Sequence, residues 1–165
     1  MKLVRTFEIS SNEFYDYLEE HILEDIKKTT NKRVSKKDLK SGYSYSNKQA
    51  DTKITIEKYE RGHIYQTIAK SKTSYMRVSY VTKETKDGLE IEFEQYIKGD
   101  EKLKEKNKLY QAWHNWITFG RMSRTLYDMR TDIINLRDGI KTVKQQQPEH
   151  YKTLKKVLRK KYADK

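Results

Sequence analysis

The stretch "SYMRVSYVTKETKDGLEIEFEQYI", residues 74–97, decides the fold of this chain. Its second half alternates Leu, Ile and Phe with Glu, and its first half alternates Met76, Val78 and Tyr80 with polar residues. A period of two is typical of a β-strand, and the Asp-Gly pair between the two runs indicates a tight hairpin. The stretch therefore predicts two antiparallel strands that share one apolar face.

The same period extends upstream and predicts three more strands, at residues 43–47, 52–59 and 63–72. The dipeptide Arg61-Gly62 predicts the turn between the last two. We assign Ile54 and Ile56 to the apolar face, together with Ile64, Gln66 and Ile68. A buried amide without a partner costs about 1–3 kcal/mol, so Gln66, Gln95 and Arg5 on that face would each need a partner or a ligand. Alternatively, they lie at strand ends where water reaches them.

A strand and an amphipathic helix precede these segments. Residues 2–10, "KLVRTFEIS", alternate and place Leu3, Arg5 and Phe7 on one side. "SSNEF" then predicts a helix start with Ser11 or Asn12 as the N-cap. The residues of one face recur at helical spacing through residue 28, namely Phe14, Leu18, either His21 or Ile22, and Ile26. Residues 34–39, "VSKKDL", predict one short helical turn capped by Ser35.

The last third of the sequence changes to a helical period, which continues to about residue 143. Pro148 ends this helix and precedes a short basic helix at 149–162. The order strand, helix, five-stranded meander, long helix predicts an α+β fold, and the first helix and the long C-terminal helix are the candidates to cover the apolar face of the sheet. We predict one domain over 1–143 and a basic amphipathic helical tail over 144–165.

This order resembles the helix-grip fold of the START and Bet v 1-like (SRPBCC) superfamily, in which a curved antiparallel sheet holds a long C-terminal helix and leaves a cavity. More narrowly, the chain resembles a Gram-positive bacterial domain of unknown function, DUF3284, over roughly residues 1–125. The resemblance rests on "RTFEISSNEFYDYL", "EDIKKTTNKRVSKKDLKSGYSYS", the meander from 54 to 82 and a Trp-rich helix. The superfamily implies binding of apolar small molecules or lipids, and the narrower family implies no known activity.

The Trp-rich helix contains "LYQAWHNWITFG", residues 109–120, with both tryptophans of the chain. On a helix, Leu109, Trp113, Trp116, Ile117 and Gly120 share one stripe. In a helix-grip fold this stripe faces the cavity, and Gly120 would let the sheet or a ligand approach closely. The indole rings either fill the cavity as core or line it for a ligand, and the sequence leaves both open.

We predict non-catalytic binding of an apolar or amphipathic, lipid-like small molecule between the sheet and the long helix. Burial of apolar ligand area would drive affinity, and Tyr, Gln and Arg groups would orient the ligand. The alternative is a protein-interaction module whose core is filled. The candidate ligand-binding residues are Trp113, Trp116, Ile117, Gly120, Tyr80, Gln66, Gln95, Arg5, Ile56, Val78, Ile91 and Phe93.

A second stripe of the long helix follows steps of three and four, the spacing with which one helix packs on another. Either the helix breaks near Gly120 or Gly139 and folds back, or it projects and pairs with a partner chain. An intramolecular hairpin with 149–162 is a further alternative. The predicted homodimer would use Phe119, Met122, Leu126, Met129, Ile133 and Leu136.

Charge is concentrated in the last part of the chain. Residues 101–165 carry 17 Lys and Arg against 7 Asp and Glu, a net of +10, out of +12 for the whole chain. A basic helix can lie on an anionic membrane surface or contact phosphates, and the cations available in the tail are Lys152, Lys155, Lys156, Arg159 and Lys160. Specific nucleic-acid binding is disfavoured because no nucleic-acid motif accompanies them.

The sequence contains no constellation that indicates catalysis. It has no cysteine, which excludes thiolate nucleophiles, disulfides and Cys-based metal sites. Its histidines do not pair at metal-binding spacing, and no GxSxG, P-loop or GxGxxG motif occurs. We therefore expect no enzyme activity, no metal and no cofactor. Without an apolar leader or an apolar run of about 18 residues, we expect a soluble cytoplasmic protein.

Overall fold

The computed structural model describes residues 1–48, 51–72, 75–98 and 108–139, with the backbone alone described for 108–119. The strands are β1 (Lys2–Phe7), β2 (Ser44–Asn47), β3 (Thr52–Glu60), β4 (Ile64–Lys70), β5 (Tyr75–Thr85) and β6 (Gly88–Lys98). The helices are α1 (Ser11–Thr30) and α2 (Lys108–Arg137), and a 3-10 turn spans Lys36–Asp38. The α+β prediction is confirmed, and the tail predicted over 144–165 lies outside the described residues.

The six strands form one antiparallel sheet in the order β1-β6-β5-β4-β3-β2. Strands β2 to β6 form a meander, and β1 pairs with β6, so β1 and β2 lie at opposite edges. Thr85 lies opposite Gly88, which leaves a two-residue turn where the Asp-Gly signal predicts one. Gly88 has φ +122°, and a Cβ at this position would lie 2.0 Å from the carbonyl oxygen of Phe7. Only glycine allows this approach of the hairpin to β1.

Helix α1 begins one residue earlier than predicted, because Ser10 rather than Ser11 or Asn12 is the N-cap. The Ser10 hydroxyl accepts from the N–H of Glu13 at 3.2 Å, and the Glu13 carboxylate accepts from the N–H of Ser10 at 2.8 Å. This capping box satisfies two backbone donors that the helix leaves unpaired. The predicted apolar stripe is confirmed, since Phe14, Leu18, Ile22 and Ile26 are all buried.

The predicted inward face of β4 is wrong. Tyr65 lies opposite Tyr80 and is 7% exposed, which places it on the covered inner face of the sheet. Because side chains alternate along a strand, the predicted set of Ile64, Gln66 and Ile68 points to the outer face.

A β-bulge in β3 accompanies this arrangement. Ile56 pairs with Thr67, whereas Lys58 pairs with Gln66, so β3 carries one extra residue between them. Beyond the extra residue, the alternation of β3 is reversed, so positions that would have pointed outward point inward. Ile56 and Tyr59 therefore both reach the inner face although they are three positions apart.

Helix α2 runs unbroken through Gly120 for 30 residues, about 45 Å at 1.5 Å per residue. It ends at Arg137, and two residues later Gly139 has φ +69° and donates its N–H to the carbonyl of Leu136 at 3.2 Å. The predicted break near Gly120 is wrong. The sheet does not approach Gly120, because this residue is exposed and a Cβ there would meet no atom within 4 Å. The approach of a ligand at Gly120 stays a prediction.

Both candidate helices cover the inner face. Phe14 and Tyr15 of α1 are fully buried against the sheet, and α2 contributes Met122, Leu126 and Ile133, which are at most 3% exposed. Ring contacts tie both helices to the strands, with Phe14 at 5.9 Å from Tyr80 and Tyr127 at 5.4 Å from Phe7. Within the described ranges, no helix has the apolar length needed to cross a bilayer.

Candidate functional site

The inner face of the sheet has a closed half near the β5–β6 turn. Its side chains form cross-strand rows that end at β1, and each is at most 8% exposed. Dense packing of this kind leaves no room for a ligand. The members of the closed half are Leu3, Phe7, Tyr65, Tyr80, Leu89, Ile91 and Phe93.

The other half of the inner face is open. Val78 lies opposite Thr67 and Gln95, and Met76 lies opposite Ala69 and Ile97. We call these six residues the open patch. On β5 and β6 they lie an even number of positions from Tyr80 or Phe93, and those on β4 lie directly opposite them, so all six side chains point to the inner face. All are at least partly exposed, and Ile97 is 58% exposed. Apolar side chains on a covered face that still reach solvent mark a place where a ligand could be buried.

The two helices meet over the closed half and diverge towards the open patch. At the closed end, Arg137 of α2 makes a bidentate pair with Glu13 of α1, at 2.6 and 2.9 Å. One turn further along α1, the Tyr17 hydroxyl donates to Asp132 at 3.0 Å.

The far end of α1 instead reaches β2. There the Tyr45 hydroxyl donates to Asp25 at 2.5 Å, whereas α2 lies along β1 at the opposite edge of the sheet. The open patch, on β4, β5 and β6, therefore lies between the diverging helices.

A row of aromatic rings crosses the boundary between the two halves. Tyr59, Tyr65, Tyr80 and Phe93 follow one another on four adjacent strands, with ring centroids 6.2, 6.5 and 4.8 Å apart. The last two contacts are stacked. Aromatic pairs at such distances add to the energy of burial, so this row forms a rigid floor beside the open patch.

Tyr80 is the polar member of this floor that requires an explanation. Its side chain is 8% exposed, and no described residue forms a hydrogen bond with its hydroxyl. No buried side-chain oxygen or nitrogen within the described residues lacks a partner. The hydroxyl of Tyr80 therefore retains contact with accessible space. A ligand atom placed there could receive or donate a hydrogen bond that the protein itself does not make.

Burial raises the pKa of the tyrosines around this region. It raises the pKa of Tyr65 to about 12 and raises the pKa of Tyr80 as well. Burial, and secondarily the neighbouring Asp132 and Asp25 carboxylates, raise the pKa values of Tyr17 and Tyr45. These hydroxyls are neutral at physiological pH and act as hydrogen-bond groups rather than bases.

The polar residues predicted at the site divide between the two faces. Gln95 lies in the open patch, where its amide nitrogen is 3.5 Å from the sulfur of Met76, a weak acceptor. Arg5 lies opposite Ile91 on the inner face and donates to the carbonyl of Val4 at 2.8 Å. Gln66 lies on the outer face and donates to Glu57, so it needs no ligand.

The apolar residues predicted at the site also divide. Val78 belongs to the open patch, but Ile56, Ile91 and Phe93 are at most 5% exposed and form core. The side chains of Trp113, Trp116 and Ile117 lie outside what the structure describes, so the choice between filling and lining for the indoles remains a prediction.

Sequence reasoning missed a buried charged cluster around Glu19, a residue that is 5% exposed. Its carboxylate accepts from the Tyr59 hydroxyl and from Arg61 at 2.7 Å, and Lys36 lies at 3.3 Å. Burial opposes ionisation most strongly, yet these hydrogen bonds together hold the pKa of Glu19 below its usual value. The cluster ties α1 to the 3-10 turn and the β3–β4 hairpin. Because all its groups are paired, we assign it a structural role.

Much of the predicted dimer seam is used within the chain. Met122, Leu126 and Ile133 are buried in the protein's own core and Met129 packs against it, whereas Leu136 is 48% exposed. The Phe119 side chain lies outside the described part. A homodimer through the buried residues would require their removal from the core, and the dimer itself remains a prediction.

No cluster of His, Cys, Asp and Glu able to hold a metal ion occurs among the residues that the structure describes. The expected absence of catalysis, and the cations predicted at a membrane surface in the tail, stay predictions. The site thus consists of an apolar patch, a polar floor residue and no reactive group within the described ranges.

Comparison with known families identifies the relatives of this domain. Residues 1–114 match a family described as a domain of unknown function, DUF3284. The chain belongs to the DUF3284 family. The matched residues include the whole sheet and helix α1, so the closed half and the open patch are both built from the family's own segment. No curated protein matches the sequence.

Two solved structures are similar to this chain at low identity. CalU16 from Micromonospora echinospora is 13% identical, with a TM-score of 0.42 over 62% of this chain and 60% of that one. Protein MLL2253 from Mesorhizobium loti is 11% identical, with a TM-score of 0.42 over 58% of this chain and 74% of that one.

Proposed function

We propose that this DUF3284 protein binds an amphipathic small molecule on the open patch, between the diverging helices, without transforming it. The observation that carries the proposal is the uneven burial of one sheet face. Ile91 and Ile97 lie on the same face of the same strand, yet Ile91 is 1% exposed and Ile97 is 58% exposed. Covering the exposed apolar side chains would contribute about 25 cal/mol for each Å² of apolar surface removed from water.

The polar groups around the patch define the other half of the ligand. The Tyr80 hydroxyl and the Gln95 amide can each take part in a hydrogen bond, and neither is charged. A ligand with an apolar body and a small number of oxygen or nitrogen atoms suits this combination. Few convergent polar groups in an apolar concavity are typical of small-molecule sites.

The order of elements supports a finer assignment of the fold. A first strand at the sheet edge, a helix, a five-stranded meander and a long C-terminal helix match the helix-grip arrangement of the START and Bet v 1-like superfamily. In that arrangement the space between the sheet and the last helix receives apolar ligands. We include this superfamily membership in the proposal.

A matched pair of tryptophan variants tests the site. Val78→Trp places an indole on the open patch, whereas Val81→Trp places the same ring on the outer face of the same strand. The probe is N-phenyl-1-naphthylamine, an uncharged dye that fluoresces in apolar sites. We expect the wild type and Val81→Trp to bind the dye and Val78→Trp to lose at least about tenfold in affinity, the effect of losing roughly 1.4 kcal/mol.

Native mass spectrometry of protein purified from its own host should show an added mass in the wild type that Val78→Trp lacks. Equal dye binding by both variants, with both folded by circular dichroism, would overturn the proposal. The proposal would also be overturned if the wild type neither binds the dye nor carries an added mass.

A further inference from the structure

A second concavity lies outside the open patch, where the C-terminal end of α1 faces the edge strand β2. It has a volume of about 440 Å³, within the range typical of small-molecule sites. Its lining includes Lys28 and Lys32 from the end of α1 and the following residues, and Lys48 from the turn after β2. Tyr43 and Tyr45 form an aromatic wall, and none of the described lining residues carries a carboxylate.

Three cations around one concave space repel one another, and an anion would neutralise charge beyond what the partial negative charge at the C-terminus of α1 offsets. Within the described residues, neither Lys32 nor Lys48 lies within ion-pair distance of a carboxylate. Lys28 pairs with Glu24 at 3.2 Å, but both side chains are more than 60% exposed. An exposed pair of this kind has little net energy, so Lys28 can turn to a stronger partner.

One carboxylate lies beside this wall. The exposed Asp25 accepts from the Tyr45 hydroxyl at 2.5 Å and keeps its negative charge, so it offsets at most one of the three cations. The left-handed turn at Asn31, with φ 59°, reverses the chain and brings Lys32 back beside the helix end. The three ammonium groups therefore come from the end of α1, from the residues that follow it and from the turn after β2. They do not come from one face of a helix.

The edge strand adds backbone donors to the same space. The N–H of residue 42 donates to the carbonyl of Ile56, and the N–H of Ile56 donates to the carbonyl of residue 43. Two residues after 43, Tyr45 lies opposite Ile54, so its backbone groups also point towards β3. By the alternation of an antiparallel ladder, Ser44 and Ser46 turn their N–H and C=O groups to the free edge of the described sheet. Both residues line the concavity. Backbone N–H groups beside lysines are a typical arrangement for oxyanions.

We propose that this concavity, which we call the edge pocket, binds a small multivalent oxyanion such as a phosphate ester. The site is independent of the open patch, because it is lined by the sheet edge and the helix end instead of the inner face of β4, β5 and β6. Lys28, Lys32 and Lys48 neutralise the anion, and the N–H groups of Ser44 and Ser46 orient it.

The test compares two double variants with the same loss of charge, since a chain of net charge +12 attracts anions everywhere. Lys32→Ala/Lys48→Ala removes two cations of the edge pocket. Lys58→Ala/Lys83→Ala removes two exposed cations of β3 and β5. The probe is inorganic pyrophosphate, titrated by calorimetry and by amide chemical shifts in 0.15 M salt, with acetate as a monovalent comparison.

We expect the edge-pocket variant to weaken pyrophosphate binding about tenfold or more, because hydrogen bonds to charged groups are the strong ones, and the matched variant to change it less than about twofold. Shifts should concentrate at the amides of 29–32 and 44–48, and acetate should not produce them. Equal weakening in both variants, or shifts spread over the basic surface, would overturn the proposal. Binding of N-phenyl-1-naphthylamine should be unchanged in the edge-pocket variant, so the outcome is separate from that of the open patch.

Discussion

The closed and open halves of the inner face differ although one sheet, one strand parity and one pair of helices build them both. In the closed half, α1 and α2 are held together by Arg137–Glu13 and Tyr17–Asp132, and the side chains beneath are at most 8% exposed. In the open half, α1 contacts β2 through the hydrogen bond between Asp25 and the Tyr45 hydroxyl, and α2 packs along β1. Dense packing is thus concentrated at one end of the sheet, and the proposed binding site lies at the other.

Two isoleucines of β6 offer the most direct way to break this comparison. Ile91→Ala removes a side chain that is 1% exposed and should cost about 2–5 kcal/mol, since it leaves a cavity in packed core. Ile97→Ala, on the same face, should stay within about 0.5 kcal/mol. Urea unfolding followed by circular dichroism measures both. Similar losses for the two variants would mean that the halves do not differ in packing.

Gly88→Ala probes the backbone at the closed end. The positive φ of this residue disfavours any side chain, and the Cβ would lie 2.0 Å from the carbonyl oxygen of Phe7. We expect a loss of about 1–3 kcal/mol from backbone strain, and a further loss because the backbone must shift to relieve the clash with the Phe7 carbonyl. Gly42→Ala is the control, because it has a positive φ of 90° but nothing within 4 Å of the new Cβ. If Gly42→Ala costs as much as Gly88→Ala, the contact with β1 contributes nothing.

The sequence predicts the sheet well because the alternation of apolar and polar residues within a strand indicates which of its side chains point inward. In β6 every inward position except Gln95 is apolar and the glutamates point outward, so strand, parity and turn follow from residues 74–97 alone. In β4 both sides carry apolar residues, with Ile64 and Ile68 on one side and Tyr65 and Ala69 on the other. The alternation there is ambiguous, and the cross-strand contact of Tyr65 with Tyr80 decides it.

Features that depend on distant partners could not be predicted. Glu19 looks like one of several acidic residues on α1, and its burial depends on Arg61, which is 42 positions away. The bulge in β3 leaves no signal in composition, yet it brings Tyr59 inward. The open patch likewise depends on where the two helices diverge, which is a property of packing between elements and not of any one segment.

The Arg137–Glu13 pair gives the closed end a pH dependence. The hydrogen bond from Arg137 is the main reason that the pKa of Glu13 lies at about 2, below its ordinary value of 4.5. A carboxylate with a lowered pKa in the folded state stabilises it above pH 4.5, and this contribution is lost as the pH falls towards 2. Because both side chains are partly exposed, the effect should be small.

In Arg137→Gln, stability should therefore fall less between pH 5 and pH 2 than it does in the wild type. Urea unfolding at several pH values within this interval measures the difference. Arg121→Gln removes an exposed charge elsewhere on α2 and should keep the wild-type slope. An unchanged slope in Arg137→Gln would show that the pair does not hold the helices together in solution.

Tyr80→Phe should produce the smallest change in stability and separates folding from binding at the boundary of the two halves. Since no described residue bonds to the Tyr80 hydroxyl, its removal should alter the free energy of unfolding by less than about 0.5 kcal/mol. The variant should bind 1-naphthol roughly 2–10-fold more weakly, the value of one hydrogen bond. Its affinity for 1-methylnaphthalene, which has a similar shape and no hydroxyl, should not change. Calorimetry measures both affinities. A loss of stability above about 1 kcal/mol would mean that the hydroxyl is satisfied within the protein, and equal effects on the two compounds would remove Tyr80 from the binding site.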